Sequence, residues 1–469
     1  MNVQRRNIRI MLTMFMVLFA GLIAYLAYSV LMYGDRWFVN PYNPRIASQK
    51  TEVKAGDILD RNGVKLATTD SEGNRVYAAD SRVRKAVSAV VGDNYGLTTT
   101  GAETFLANYL LGFNDNVIER LWQEITGTKR EGSDVVLTID SALSSYAYSQ
   151  MGNHRGAAVV MNYKTGEILA SVSSPGFDPN NMKEYADDKD SEESPLVNRP
   201  TMGRYTPGSV FKIITAAAAL ENYPDALTRK YTCKGKITVG DTVITDANDK
   251  AHGTLTLKQA FAVSCNNTFA QIGMDLGADK LMAEADKFGF NKNFLFNDLV
   301  LYSSSYEKPA EKGDLGWSAV GQYKDLVTPL HMCMITASIA NDGVMMEPKL
   351  VRNLINVRGY EYQQMTANEY TRPISEKNAQ TLQSMMFDVV QSGTGKNAKV
   401  KGWTIGGKTG TAEVSESKDV NPNAWFVGFV EDKDHPICIA VVLEDAGSGG
   451  SKAAPVAAAI LKKAKELGY

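Results

Sequence analysis

The hydrophobic pattern divides the chain into one long apolar N-terminal segment and a remainder of short apolar segments separated by polar turns. Residues 10–32 contain no charged side chain, and three arginines precede them. As a helix this segment would be about 35 Å long, enough to cross a hydrocarbon core of roughly 30 Å. Basic residues favour the cytoplasmic side. The pattern predicts a cytoplasmic tail over residues 1–9, a transmembrane anchor over 10–33 and an exported remainder.

A cleaved signal peptide and a buried core helix are the alternatives to this anchor. The apolar segment is longer than the apolar part of a typical signal peptide, and no Ala-x-Ala cleavage site follows it. A helix that packs on a protein core usually keeps a polar face, which this segment lacks. Both observations favour the uncleaved anchor.

Residues 34–145 form a mixed and fairly polar region. Asn62-Gly63 lies between two short apolar segments, which predicts a β-hairpin over residues 55–67. An apolar stripe predicts a helix over residues 101–127. The region is therefore expected to form a small N-terminal module.

From residue 146 onward the pattern favours one large α+β domain. A very apolar segment predicts a helix over residues 209–220, and a closing helix is expected over 455–467. Buried strands at both ends of this region, with helices between them, indicate an antiparallel sheet surrounded by helices over 146–469. The predicted strands are residues 156–161, 167–172, 403–414, 424–430 and 437–443.

Charge and composition narrow the possible functions. The 469 residues include 50 Lys and Arg against 52 Asp and Glu, and such a balance argues against a nucleic-acid-binding protein. Four cysteines are scattered without a Cys-x-x-Cys motif, and the four histidines form no cluster. A zinc or redox site is therefore not expected. The cysteines are instead expected to be buried free thiols. A catalytic mechanism here must also work without a histidine base.

Ser209 and Lys212 are the first candidate catalytic pair. Residues three apart face the same side of a helix, so the lysine amine can approach the serine hydroxyl. The surrounding segment is apolar, and burial lowers the pKa of a lysine until its neutral amine can accept a proton. Free N–H groups at the helix start can stabilise an oxyanion. The alternative is a helix-capping serine beside a lysine that extends to solvent.

Ser264 and Asn266 form the second candidate, after an amphipathic segment over residues 255–263. The Ser264 hydroxyl can relay a proton between Lys212 and a leaving group. The Asn266 amide can hold both the lysine and a substrate amide. Serine and asparagine also favour helix caps, so a capping role is the alternative.

The segment from Lys408 to Thr411 is the third candidate and lies within a strand pattern. Gly410 would let a substrate backbone approach the strand closely. The hydroxyls of Thr409 and Thr411 can bind a terminal carboxylate, and Lys408 adds positive charge. A second cation near Lys212 would further lower the pKa of that lysine. A simple turn is the alternative.

Together the three motifs are far more specific than any one of them. They occur in the order Ser-x-x-Lys, Ser-x-Asn and Lys-Thr-Gly, with first residues 55 and 144 positions apart. This set is typical of penicillin-binding proteins and class A β-lactamases. The chain resembles a class B penicillin-binding protein, a membrane-anchored peptidoglycan D,D-transpeptidase. Other segments that fit this family are residues 56–67, 137–140, 165–170, 205–209, 328–330 and 425–429.

The resemblance implies a fold and an activity. The fold would be a penicillin-binding/β-lactamase-like transpeptidase domain over 146–469, with an antiparallel sheet flanked by helices and an all-α subdomain, behind an N-terminal pedestal over 34–145. Ser209 would be acylated by the penultimate D-Ala of a donor stem peptide, with Lys212 as its base and Ser264 and Asn266 as the relay. The substrate carboxylate would bind Lys408, Thr409, Gly410 and Thr411, and the oxyanion would bind the backbone N–H groups of residues 209 and 411.

The resemblance also implies partners. These are D-Ala-D-Ala donor and amine acceptor stem peptides, β-lactams that acylate the serine, a membrane glycosyltransferase, and division or elongation proteins. It implies no cofactor and no metal. The short pedestal leaves no room for a glycosyltransferase domain before the catalytic one.

Two positions depart from the family pattern, and three other functions remain open. Tyr323 follows Gly321-Gln322 where Gly-Gln-Gly is usual, and Ala55 stands where an arginine is expected before Gly56. A β-lactam sensor and a β-lactamase share the Ser-x-x-Lys chemistry, and a non-catalytic scaffold would keep the fold alone. A single anchor argues against the sensor, the pedestal against the β-lactamase, and the intact catalytic residue types against the scaffold.

Overall fold

A computed structural model describes residues 3–38, 53–112, 125–126, 130–187, 191, 193–414 and 420–469 of the chain. Its α-helices are α1 (Val3–Phe38), α2 (Ser81–Val91), α3 (Ala102–Phe105), α4 (Ala107–Leu110), α5 (Ser141–Met151), α6 (Met182–Asp187), α7 (Arg199–Met202), α8 (Lys212–Asn222), α9 (Leu257–Val263), α10 (Asn266–Leu276), α11 (Ala278–Lys287), α12 (Lys312–Val320), α13 (Pro329–Ala340), α14 (Glu376–Gln391) and α15 (Ala453–Glu466). Short 3₁₀ helices cover Pro179–Asn181, Gly208–Phe211, Ala247–Asp249 and Lys396–Ala398.

The strands form two larger sheets and three small two-stranded ones. They are β1 (Ile58–Leu59), β2 (Lys65–Thr69), β3 (Arg75–Tyr77), β4 (Asp134–Leu137), β5 (Gly156–Asn162), β6 (Ile168–Ser174), β7 (Lys230–Cys233), β8 (Lys236–Val239), β9 (Thr242–Thr245), β10 (Gly253–Thr256), β11 (Met345–Met346), β12 (Val351–Ile355), β13 (Glu361–Gln364), β14 (Glu369–Thr371), β15 (Ile405–Ala412), β16 (Asn423–Val430) and β17 (Ile437–Leu443).

The central sheet joins the two ends of the region from residue 146 onward, as the sequence predicts. Its order is β15-β16-β17-β5-β6, with every neighbouring pair antiparallel. Successive side chains enter opposite cores: Val159 and Val427 pack on the α13 side, whereas Val160 and Phe426 pack on the α15 side. A strand buried on both faces reads as a continuous apolar segment, which explains the sequence of β16. The predicted strands over 156–161 and 167–172, the three C-terminal strands and the closing helix are confirmed.

A second sheet forms the N-terminal module, with order β13-β12-β4-β1-β2-β3. The predicted hairpin over 55–67 is confirmed by the antiparallel pairing of β1 with β2. Strands β12 and β13 complete this sheet although they come from residues beyond 350. The division of the chain at residue 145 stays a prediction, and the sheet itself crosses that boundary.

The single helix predicted over residues 101–127 is wrong where the structure describes it. Helices α3 and α4 have four residues each, and Leu106 between them has φ −106° and ψ 18°, which is not helical. The apolar stripe is nevertheless buried, because both short helices place Leu106 and Leu110 in the core. Residues 113–124 and residue 127 of this prediction lie outside the described residues.

Helices α8 to α12 form the helical subdomain beside the sheet, and it is not all-α as expected. It also carries two small antiparallel sheets, β7–β10 and β8–β9. Their strands alternate exposed and partly buried residues and bury little apolar surface. The pattern along this part of the chain was therefore too polar to indicate strands.

The N-terminal apolar segment is helical, as predicted. Within α1, the stretch Arg5–Val30 is long and apolar enough to cross a membrane, and none of its most apolar window is buried against the protein. A helix that exposes a continuous apolar surface fits a membrane anchor.

Candidate active site

Ser209 lies on a 3₁₀ turn rather than in an α-helix, so the helix predicted over 209–220 begins later than expected. Residues Gly208–Phe211 form the turn, and α8 begins at Lys212. A 3₁₀ helix has three residues per turn, which aligns the side chains of Ser209 and Lys212 on one side. Ser209 lines a cleft of about 680 Å³. Lys212 is fully buried beneath it.

The nucleophile turn is held between strand β15 and the loop after α12. Gly208 has φ +55°, and its N–H donates to the Gly321 carbonyl at 2.8 Å. A Cβ on Gly410 would lie 3.0 Å from the Pro207 carbonyl oxygen and 3.1 Å from Val210. Gly410 is therefore required for close packing of the strand against the turn, a reason that differs from the predicted approach of a substrate backbone.

The buried amine of Lys212 donates to the second motif. Its Nζ lies 2.6 Å from the Ser264 carbonyl oxygen and 2.7 Å from Asn266 Oδ1, with Ser264 Oγ at 3.4 Å. A neutral amine has two N–H donors and one lone pair. The two short bonds use both donors, which leaves the lone pair free to accept a proton.

Burial is the main cause of the perturbed charge states in the site. It lowers the pKa of Lys212 to about 7, against a smaller opposing effect of Cys265 and Asp246. Burial also lowers the pKa of Lys408 well below its usual value, and the positive charge of Lys212 lowers it further. The charge effect acts on Lys408, whereas the predicted lowering of the Lys212 pKa by a second cation is not among the causes that act on Lys212, for which burial is the main one.

Ser264 connects the two lysines because its backbone is turned away from the helix. It ends α9 in the left-handed conformation, with φ 60° and ψ 37°. Lys408 Nζ donates to Ser264 Oγ at 2.8 Å and to the Thr409 carbonyl at 3.0 Å. Asn266 begins α10, and its amide nitrogen donates to the Thr245 carbonyl at 2.8 Å. Ser264 and Asn266 do lie at helix ends, as the capping alternative requires. Their side chains nevertheless contact the two lysines.

Strand β15 carries the third motif along the edge of the sheet, which rules out the turn alternative. Its order in the sheet leaves one edge unpaired by the described strands, and Thr409 and Thr411 line the cleft. Thr409 Oγ1 lies 2.6 Å from Thr394 Oγ1, and Gln322 Nε2 donates to the Thr411 carbonyl at 3.1 Å.

Five of the eight predicted site residues line one cleft, the two lysines are buried and hydrogen-bonded to Ser264, and Gly410 packs against the nucleophile turn. One expected contact is different: the hydrogen bonds of Lys212 go to Ser264 and Asn266 rather than to Ser209. Catalytic hydrogen bonds are often long in ligand-free sites and shorten with substrate bound. The eight residues are Ser209, Lys212, Ser264, Asn266, Lys408, Thr409, Gly410 and Thr411.

Sequence reasoning missed three residues that support the site: Thr394, Gln322 and Asp246. Asp246 accepts a hydrogen bond from the Asn266 N–H at 2.5 Å, which fixes the start of α10. A threonine between two glycines, Gly393 and Gly395, was the available signal for Thr394. Nothing in the local pattern around Asp246 indicated its contact, which joins residues twenty apart.

Four residues behind the second motif could hold a metal ion. The ligand atoms of Cys233, Asp246, His252 and Cys265 all lie within 4.8 Å of one another. The predicted burial of Cys265, Cys333 and Cys438 as free thiols is confirmed, and Cys233 is buried as well. The scattered spacing in the sequence did not indicate this cluster, which forms because the β7–β10 pairing brings Cys233 beside His252 and close to Cys265.

The two departures from the family pattern have structural accounts. Arg75 donates to the Gly56 carbonyl at 2.8 Å and to Glu103 at 2.6 Å, so another residue supplies a guanidinium beside the position of Ala55. Tyr323 stacks under the Lys324 ammonium, 5.3 Å from the ring centroid. Its neighbour Gln322 is the residue that lines the cleft.

Comparison with known protein families agrees with this geometry. The family described as "Penicillin binding protein transpeptidase domain" matches residues 156–462. This chain belongs to that family. It is 30% identical over 495 aligned positions to the peptidoglycan D,D-transpeptidase PbpA of Mycolicibacterium smegmatis, with all of both chains covered. The resemblance drawn from the three motifs is confirmed.

Solved penicillin-binding proteins share the fold. Penicillin-binding protein A from M. tuberculosis is 28% identical, with a TM-score of 0.81, over 88% of this chain and 99% of that one. Its penicillin G acyl-enzyme complex gives a TM-score of 0.80 at 28% identity, with the same coverage. The stage V sporulation protein D of Bacillus subtilis is 29% identical over 92% of this penicillin-binding protein chain and 69% of its own length.

Proposed function

We propose that the chain is a peptidoglycan D,D-transpeptidase that cross-links stem peptides through an acyl-serine intermediate and is inhibited by β-lactams. Relatives named peptidoglycan D,D-transpeptidase support this activity. A relative of the same fold forms an acyl-enzyme with penicillin G. The sensor, β-lactamase and scaffold alternatives have no comparable support.

In the proposed mechanism, Lys212 activates Ser209. The neutral amine takes the hydroxyl proton while Ser209 Oγ attacks the carbonyl carbon of the penultimate D-Ala. The backbone N–H groups of Ser209 and Thr411 would hold the oxyanion. The peptide bond then breaks, the proton passes through Ser264 to the departing amine, and the terminal D-Ala leaves. An amine on a second stem peptide attacks the acyl-serine, forms the cross-link and restores the Ser209 hydroxyl.

The substrate carboxylate would bind along β15. Thr409 and Thr411 offer hydroxyls at the cleft, and Lys408 supplies the nearest buried amine. Because Lys408 also donates to Ser264 Oγ, it orients the relay hydroxyl. Asn266 positions Lys212 through the 2.7 Å bond to its amide oxygen.

One observation carries this proposal: Lys212 is fully buried, and its N–H groups have two short acceptors, the Ser264 carbonyl and Asn266 Oδ1. Burial disfavours the ammonium ion, and its pKa falls to about 7. A base of this pKa is half neutral near physiological pH, where general-base catalysis is most effective.

We also propose the cellular arrangement that the N-terminal sequence favours. The arginines before the apolar helix place residues 1–9 in the cytoplasm, the anchor over 10–33 crosses the membrane once, and residues 34–145 form a pedestal that carries the domain over 146–469 outside it. A membrane glycosyltransferase would supply the glycan strands, and division or elongation proteins would direct the enzyme.

Intact-mass measurement after incubation with benzylpenicillin tests the function. We expect one adduct per chain for the wild type and none for Ser209→Ala. Ser264→Ala keeps the nucleophile and is expected to give the adduct more slowly. An adduct on Ser209→Ala, or rapid loss of the wild-type adduct with catalytic β-lactam hydrolysis, would contradict the proposal.

A further inference from the structure

Behind the cleft, four polar side chains from four separate segments converge on one point. Cys233 ends β7, Asp246 follows β9, His252 precedes β10, and Cys265 lies between α9 and α10. Cys233 Sγ is 3.0 Å from Asp246 Oδ2 and 3.6 Å from His252 Nδ1. Cys265 Sγ is 3.5 Å from Asp246 Oδ2. None of these residues touches substrate in the proposed mechanism.

Two of these separations, 3.5 Å and 3.6 Å, match the edges of a tetrahedral zinc site, the 3.0 Å separation is shorter, and all four ligand atoms lie within 4.8 Å of one another. With bonds of about 2.3 Å to sulfur and about 2.0–2.2 Å to nitrogen and oxygen, the ligand atoms lie roughly 3.3–3.8 Å apart. A ligand set of two thiolates, an imidazole and a carboxylate binds zinc in preference to magnesium or calcium. We propose that Cys233, Asp246, His252 and Cys265 bind one Zn²⁺ ion. The two thiols would release their protons to solvent on binding.

The surroundings of the two sulfur atoms support thiolate ligands. The backbone N–H groups of Gly235 and His252 both point at Cys233 Sγ, each at 3.4 Å. The Thr268 N–H points at Cys265 Sγ at 3.3 Å. Donors aimed at a sulfur atom stabilise its negative charge and orient it, as is usual around bound metals.

The local fold also gives a bound ion a structural purpose. Between residues 234 and 256, Ile244 is the one apolar side chain that is fully buried. Most other side chains in this range are exposed or partly buried. Two short hairpins of this kind have little hydrophobic core of their own. A metal that joins four segments would stabilise them, as it does in other small folds.

The site would hold the second catalytic motif in place, an extension that rests on the proposed function. Cys265 lies between Ser264 and Asn266, and Asp246 Oδ1 accepts the Asn266 N–H. A zinc ion bound to Cys265 and Asp246 would fix both the Ser264 backbone and the start of α10. Because Lys212 donates to both of these motif residues, the ion would act as a positioning element for the general base.

Metal content is the first test, and it does not depend on β-lactam chemistry. The full chain is purified in detergent with zinc in the growth medium and no chelator, and its metal content is measured by mass spectrometry. We expect about one zinc per wild-type chain. Cys233→Ser and His252→Ala should lose it, whereas Cys333→Ala, which removes a buried thiol outside the cluster, should keep it.

Two results would overturn the zinc site. One is a wild-type chain that carries no zinc and takes up none from added zinc chloride. The other is a non-reduced wild-type mass lower by two hydrogens, with a Cys233–Cys265 disulfide in the peptide map. If the cysteine and histidine variants fail to fold, the wild type is treated with a chelator and then with zinc. Loss and recovery of the bound metal then test the site without a substitution.

The coupling to the active site is tested on the same samples. We expect removal of zinc to slow benzylpenicillin acylation by about 10-fold or more, with recovery when zinc is restored. Stoichiometric zinc with an unchanged acylation rate after its removal would overturn the positioning role. Stoichiometric zinc in a chain that never forms an adduct would instead reject the proposed function and leave the metal site standing.

Discussion

At the scale of single residues, the account depends on the solvation of one amine. Lys212 and Lys408 are both fully buried, and both donate to Ser264. Two buried ammonium ions so close together would repel strongly, so the site favours one neutral amine. Both amines have two hydrogen-bond acceptors, and we assign the role of neutral base to Lys212 because it lies one turn after Ser209.

Replacing Lys212 by methionine tests this assignment with little change in volume. We expect Lys212→Met to slow benzylpenicillin acylation by at least about 100-fold, since a general base contributes roughly that much. Stopped-flow measurement with a fluorescent penicillin gives the rate, and circular dichroism monitors folding. Lys258→Met, which removes a half-exposed lysine paired with Asp388, is the control. Equal rates for wild type and Lys212→Met would refute the base assignment.

At the scale of elements, the site is the place where a 3₁₀ turn, a strand and a loop meet. A Cβ on Gly321 would overlap the Gly208 carbonyl oxygen, and a Cβ on Gly208 would lie 2.8 Å from the Thr411 carbonyl oxygen, so neither glycine tolerates a side chain. Their contact fixes how far Ser209 extends into the cleft, and Gln322 ties the same loop to β15. The position of the nucleophile is therefore set by backbone packing as much as by the helix that follows it.

Gly321→Ala tests this packing against a matched control. Both Gly321, with φ +87°, and Gly359, with φ +81°, have a conformation that strains alanine, but only a Cβ at 321 would meet backbone atoms. We expect Gly321→Ala to reduce acylation by about 10-fold or more, because the clash costs more than roughly 1.4 kcal/mol. Gly359→Ala should pay a similar conformational cost and keep the wild-type rate. Similar rates for the two variants would show that the contact does not position Ser209.

Sequence reasoning worked best where a local pattern corresponds to one element. The hairpin around Asn62-Gly63 and the five buried strands followed from turn residues and apolar periodicity. The three motifs followed from spacing. It failed where distant segments decide the outcome: Asp246 reaches Asn266 across twenty residues, and Cys233 meets His252 through strand pairing. The break at Leu106 was missed for the same reason, because tertiary packing overrides the helix that the apolar stripe alone predicts.

At the scale of the whole molecule, the catalytic cleft and the membrane helix are separate features of one chain. The central sheet is completed when β5, which carries β6, pairs with β17, so the region from residue 146 onward folds around strands from both its ends. The N-terminal module shares its sheet with β12 and β13. Helix α1 has none of its most apolar window buried against these parts, which suits contact with lipid rather than with protein.

Removal of residues 1–38 tests this independence. We expect the shortened chain to move from the membrane fraction to the soluble fraction and to acylate at the wild-type rate within about 2-fold, because no cleft residue depends on α1. Fractionation followed by labelling with fluorescent penicillin measures both properties. A shortened chain that stays in the membrane, or a folded soluble one that no longer labels, would contradict the separation.

The pH dependence of acylation tests the central claim, that a buried neutral lysine activates Ser209, most directly. The pKa of Lys212 is lowered to about 7, so its neutral fraction, and with it the rate, should rise as pH increases through that value and level off above it. The second-order rate constant for benzylpenicillin is measured from about pH 5.5 to about pH 9, with folding monitored throughout. We expect half of the maximal rate near pH 7 for the wild type and loss of this step in Lys212→Met. A rate that is independent of pH over this range, or that is still rising steeply at the alkaline end, would contradict the account.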